Sequence, residues 1–127
     1  MDNPHEYNQG FLHGSIQYRF DRMMAICTRD IDRLCVRNHF TLLTNEEIMN
    51  LIEQCSLGWV VEEYLLIINN PYSNHQDYRQ GFMDSYYLSN ERYERSYEYM
   101  FHDLGEQVFN QVLPMNEYEE NNSPPLR

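Results

Sequence analysis

From Ser15 onward, Ile16, Phe20, Met23, Cys27, Ile31 and Leu34 recur at steps of three and four residues, with Arg22, Arg29, Asp30, Arg33 and Arg37 on other faces. That period puts the apolar side chains on one stripe and predicts an amphipathic helix ending near Asn38. The stretch before Ser15 carries Gly10 and Gly14. Each costs about 1 kcal/mol in a helix interior, so only a weak early helix is expected there.

Thr44-Asn45-Glu46-Glu47 then matches a capping box, in which Thr44 accepts from the Glu47 amide while the Glu47 side chain reaches back. A second helix should start at Asn45. Its apolar positions Ile48, Leu51, Ile52, Cys55, Trp59 and Val60 continue into Tyr64, Leu65 and Ile68 and surround much of the circumference, which predicts the most buried helix. Trp59-Val60-Val61 also has β-propensity, leaving a short strand open, and Gly58 marks a bend or break. Asn69-Asn70-Pro71 ends the element, since Pro disfavours helical backbone in the residue before it.

A third helix is predicted from about Asn74 to Leu88, carrying Tyr78, Phe82, Met83 and Tyr86. A fourth, from about Asn90, aligns Tyr93, Tyr97, Met100, Phe101, Leu104, Val108 and Val112, with Gly105 as its weak point and Pro114 as its stop. Residues 115–127 are acidic and rich in Asn and Pro, too polar to fold alone, and read as a flexible tail. The expected fold is all-α, a compact bundle of about four helices over residues 1–114, with a disordered acidic C-terminal tail.

Two segments of the chain resemble two others. Glu6-Tyr7-Asn8-Gln9-Gly10-Phe11 is similar to Asp77-Tyr78-Arg79-Gln80-Gly81-Phe82, and Arg19-Phe20-Asp21-Arg22 to Arg92-Tyr93-Glu94-Arg95, with a two-residue change in spacing. A duplicated helical hairpin would give this pattern, and so would coincidence between two aromatic amphipathic helices. If the similarity is structural, Gly10 and Gly81 permit close backbone approach at equivalent points, and the first helix begins near Glu6.

Charge narrows the function. A net charge of −11 on 127 residues repels duplex DNA, RNA and anionic membranes, so direct nucleic-acid and membrane binding are not expected. The longest apolar stretch, Leu57 to Ile68, is interrupted by Glu62 and Glu63 and falls short of a membrane span. The start lacks the basic-then-apolar order of a signal peptide. Cys27, Cys35 and Cys55 are odd in number and sit in helical patterns. Reduced thiols in an intracellular compartment follow, cytoplasm or nucleus, including that of a host cell. All nine basic residues are Arg. Base composition does not explain the missing Lys, because the 13 Asn use codons that differ from those of Lys only at the third base.

Cys27, Cys35, His39 and Cys55 are the sharpest chemical candidates, since Cys35 and His39 share a helical face and four such ligands could surround zinc. Their spacing fits no compact zinc motif, and Cys27 and Cys55 stand where core apolar residues belong, so neither a metal nor another cofactor is expected. The chain has no phosphate-binding Gly loop, nucleophile elbow or His-Glu-x-x-His, and its five His are scattered. It reads as a non-enzyme.

The richest binding candidate is the C-terminal half, where Tyr86, Tyr87, Tyr93, Tyr97 and Tyr99 alternate with Glu91, Glu94, Glu98, Asp103 and Glu106. Tyr combines contact area with a polar tip, and acids steer a basic partner. The leading expectation is an acidic adaptor or inhibitor of viral or parasite type that docks on a basic surface of a host protein, including by imitating nucleic-acid charge. A homo-oligomeric assembly protein, such as a homodimer, is the alternative from a different class. Leu51-Ile52-Glu53-Gln54-Cys55 also resembles, over about ten residues, the Leu-x-x-x-Cys core of elongin-binding boxes. Asn50 replaces the usual small residue before the Leu, and Trp59 the later aliphatic. That resemblance implies an adaptor engaging a ubiquitin ligase, for which a lysine-free chain offers no attachment point. The same residues also read as one buried helical face.

Overall fold

The computed structural model describes residues 2–93 and 95–122, excluding the side chains of Ser96 and of residues 114–122. Among these the chain forms α1 (Pro4–Arg37), α2 (Asn45–Glu53), α3 (Gly58–Ile67), α4 (Gln76–Glu91) and α5 (Arg95–Asn122), and no strand. The all-α expectation holds, with five helices in place of about four.

Three boundaries differ from the sequence reading, each for a local reason. The first helix begins at Pro4 instead of near Ser15. The Asn3 side chain caps it by accepting from the Glu6 amide at 3.1 Å, and Pro occupies the first turn, where its missing N–H costs nothing. The single predicted helix from Asn45 to Ile68 breaks in two at 54–57. A Cβ at Gly58 would collide with the Glu53 backbone, so the tight turn from α2 into α3 requires glycine there. The helix predicted to stop at Pro114 continues to Asn122. Pro removes one ladder hydrogen bond, while the Met and Glu residues that follow are good helix formers. The tail expected over 115–127 is therefore helical to Asn122, and residues 123–127 lie outside the described residues.

The end of α1 is set by hydrogen bonds rather than by glycine. The Phe40 amide donates to the Cys35 carbonyl at 2.8 Å and the His39 amide to the Val36 carbonyl at 3.2 Å, the double closure of a Schellman turn. His39 takes the left-handed position at φ 59°, where Gly is usual. The predicted capping box at Thr44 and Glu47 is present in both directions.

α1 is the axis of the molecule. Contacts along it advance in step with those along α4 and then α5. Tyr7 meets Asp84, Tyr18 meets Asn90, Cys27 meets Phe101 and Phe40 meets Phe109, so α4 and α5 follow α1 in the same direction. α3 returns against it, with Arg19 on Glu63, and His13 near Asn70 farther along. The core gathers around the C-terminal half of α1, where Met23, Cys27, Ile31 and Cys35 are sealed by Ile48, Ile52, Val60, Val61, Phe101, Leu104 and Val108. Each fully buried side chain of this size contributes about 1.5–3 kcal/mol, so this half anchors the fold.

The N-terminal half of α1 holds α4, whose backbone packs closely on no other helix. Here the two similar segments lie against each other as a parallel pair with local two-fold symmetry. A Cβ at Gly10 would strike the Tyr78 carbonyl, and one at Gly81 the Tyr7 carbonyl. The Tyr7 hydroxyl donates to Asp84 at 2.7 Å, and at the equivalent place the Tyr78 hydroxyl pairs with His13 Nδ1 at 2.7 Å. Gly14 faces Ser85 across the axis. Small residues four apart on each helix thus let the backbones touch, which is why Gly10 and Gly14 do not end the helix.

Candidate functional site

Two surfaces stand out. The first is a cleft of about 250 Å³ walled by α1, α4 and the start of α5. Ser15, Tyr18, Arg19 and Arg22 project into it from successive turns of α1, Ser85 and Ser89 from α4, and Tyr93, Tyr97 and Phe101 from the far side. Arg22 lies over the Tyr93 ring, 4.9 Å from its centre. Arg19 donates to Glu63 Oε2 at 2.8 Å and lies over the Trp59 ring at 5.2 Å. Asp21 is occupied on both oxygens, by Gln17 Nε2 at 2.8 Å and the Tyr86 hydroxyl at 2.6 Å. Burial, together with that bond to Asp21, pushes the Tyr86 phenol up to about 12.

The second surface is the outward arc of α3. Trp59, Glu62, Leu65 and Leu66 occupy neighbouring positions on it, and Leu66 is 83% exposed. Past the end of the helix, Ile68 and Met83 are each about half exposed and border a groove floored by Ile67, Tyr78 and Phe82. The helix expected to be the most buried therefore presents a broad apolar face. Splitting the predicted helix at 54–57 turns Val60, Val61 and Ile67 toward the core and leaves Trp59 and Leu66 outside. No sequence signal separates these two sets except their helical phase, which is readable only once the break is placed.

The ten residues expected to form one binding face occupy different environments. Tyr86 is tied to Asp21, while Tyr93 and Tyr97 turn into the cleft. Tyr87, Glu91, Tyr99, Asp103 and Glu106 are exposed, with Tyr99, Asp103 and Glu106 on one face of α5, and Glu98 is half-buried. Glu94 lies outside the described residues.

The four candidate zinc ligands are not brought together, and no group of three or more metal-ligating side chains occurs among the described residues. Cys27 is buried and donates to the Phe101 carbonyl at 3.2 Å, and burial pushes its thiol up to about 12. Cys35 is buried in the core, Cys55 donates to the Leu51 carbonyl at 3.4 Å, and His39 sits in the exposed turn after α1. Leu51 and Cys55, the elongin-like pair, are both half-buried, and α2 ends between them at Glu53. No helix among the described residues is long and apolar enough to cross a membrane. No protein-family model, curated protein or solved structure matches the chain.

Proposed function

We propose that this chain is a non-enzymatic interaction protein that docks a protein partner on the outward face of α3. The observation that carries the reading is Leu66, 83% exposed beside Trp59 and Leu65 on a helix whose opposite side lies in the core. Apolar side chains concentrated on one exposed arc are the usual mark of an interface. Charge selects the occupant. Glu62 sits within the arc and the chain carries −11, so a second copy is repelled, whereas a partner with an apolar ridge flanked by basic residues is attracted.

The sole tryptophan, Trp59, lies in this surface and reports on it directly. Titration with an amphipathic helical peptide, leucine on one face and arginine on the flanks, should shift Trp59 emission to shorter wavelength saturably. Added salt should weaken the binding, because the flanking charges are exposed. Leu66→Asp should abolish the shift without altering the helical signal, since Leu66 supports nothing inside. A peptide that leaves the emission unchanged at millimolar concentration would refute the reading. An emission shift produced by concentrating the protein alone, with a doubled mass in light scattering, would assign the face to self-assembly instead.

A further inference from the structure

The cleft between α1, α4 and α5 contradicts the charge of the rest of the chain. Acids outnumber basic residues 20 to 9 overall, yet three of the nine arginines line this cleft and no carboxylate does among the described residues. They come from the two similar segments, Arg19 and Arg22 from one and Arg92 from the other, which the parallel run of the helices brings to the same cleft.

Two polar atoms in the wall, Arg22 Nε and the Tyr93 hydroxyl, are buried without a hydrogen-bond partner among the described residues. A guanidinium nitrogen and a phenol hydroxyl buried without partners are costly, and an oxyanion accepting from them relieves that cost. The Tyr93 ring, its centre 4.9 Å from the Arg22 guanidinium carbon, holds that group at the cleft wall through a cation–π contact. The nearest acid on α1, Asp21, is already satisfied by Gln17 and Tyr86 and does not compete. Arg19, held by Glu63, adds positive field, and Arg92 is exposed at the mouth. Phe11, Leu88 and Phe101 supply an apolar part of the wall, beside the hydroxyls of Ser15, Ser85 and Ser89. About 250 Å³ accommodates one ring bearing one anionic group.

We propose that this cleft binds a compact aryl oxyanion, a carboxylate or phosphate monoester on a single ring, with the anion between Arg22 and Tyr93 and the ring against the apolar wall. This site is separate from the α3 face and does not depend on it.

Calorimetric titration of the full chain with phenyl phosphate and with benzoate tests the assignment, with inorganic phosphate and benzyl alcohol as single-feature comparisons. One aryl oxyanion should bind at one per chain, at least tenfold tighter than either fragment, and which of the two is tighter assigns phosphate or carboxylate. Arg22→Gln and Tyr93→Phe should each weaken it by about tenfold, the effect of losing a charge-assisted hydrogen bond. Arg37→Gln, on the exposed end of α1, should leave it unchanged. Should Arg22→Gln fail to fold, Arg92→Gln, at an exposed position, supplies the readout with a weakening of about threefold. No saturable heat from either aryl probe at millimolar concentration would overturn the proposal. So would binding indifferent to both arginine substitutions, or equal affinity for inorganic phosphate.

Discussion

Replacing Gly81 by alanine tests whether backbone contact between α1 and α4 holds the N-terminal half together. An added methyl would sit 3.0 Å from Phe11 N and from the Tyr7 carbonyl carbon, and closer still to the Tyr7 oxygen, so the helices must part by about 1 Å. A gap of that size forfeits a quarter to a half of the dispersion energy of each contact across the seam. Overpacking of this kind costs about 1–3 kcal/mol, against a gain of about 1 kcal/mol from better helix propensity. With the paired hydrogen bonds of Tyr7 and Tyr78 stretched as well, a net loss of about 2 kcal/mol is expected. The loss should be local, because the α4 backbone packs closely only on α1 while the core lies at the other end of α1. Hydrogen exchange read by mass spectrometry should show α4 and residues 4–14 losing protection while α2, α3 and residues 97–112 keep theirs. Gly10→Ala should do the same. The double variant should cost less than the sum of the two, since a single separation relieves both clashes. A Gly81→Ala protein as stable as the parent, with α4 still protected, would refute the close-packed seam.

Three further outcomes are expected. His13 is held neutral by burial, which lowers its pKa from the ordinary 6.5, and its ring faces the Tyr78 hydroxyl and the Asn70 amide rather than a carboxylate. The unfolded chain then binds more protons just below pH 6.5, so stability is complete above that pH and falls as the pH drops through the folded pKa. Urea unfolding at about pH 7.5 and 5.5 should show a smaller decline in His13→Gln than in the parent. At the left-handed end of α1, His39→Gly should raise stability by up to about 1 kcal/mol, less the entropy glycine gains when unfolded, seen as a higher urea midpoint at unchanged slope. Alkylation timed by mass spectrometry should label the half-buried Cys55 first. Cys27 and Cys35, whose thiols are buried and raised, should react only as the chain unfolds.

Local signals in the sequence predict what depends on neighbours along the chain. The capping box at Thr44, the apolar stripe from Ile16 to Leu34 and the alignment of Phe101, Leu104, Val108 and Val112 all appear in the structure where expected. Errors arise where distant contacts outweigh local preference. Gly10 and Gly14 read as helix weakeners, yet they are the notches that admit α4, so the tertiary contact extends α1 by three turns. Trp59 and Leu65 read as core because their helix was taken as continuous with the one before it. Moving a helix start changes the phase of every later residue, and a turn at Gly58 suffices to move both side chains from the inside to the outside.

The internal similarity carries more of the structure than any single motif. Two segments that merely resembled each other could lie anywhere, but here they align in parallel, and that one relation has two consequences along α1. In the first segment it sets Gly10 against Tyr78 and Gly81 against Tyr7, leaving no room for a side chain between the backbones. Beginning at Phe11, Ser15 and Ser85, side chains of the same two helices, joined by the start of α5, line the cleft. The arginines of the second pair of similar segments, Arg19, Arg22 and Arg92, line it next to the seam. The tight seam and the cationic cleft are therefore two parts of one helix crossing. Parting the seam by substitution at Gly81 should alter aryl oxyanion binding as well as stability, whereas Leu66→Asp on α3 should alter neither.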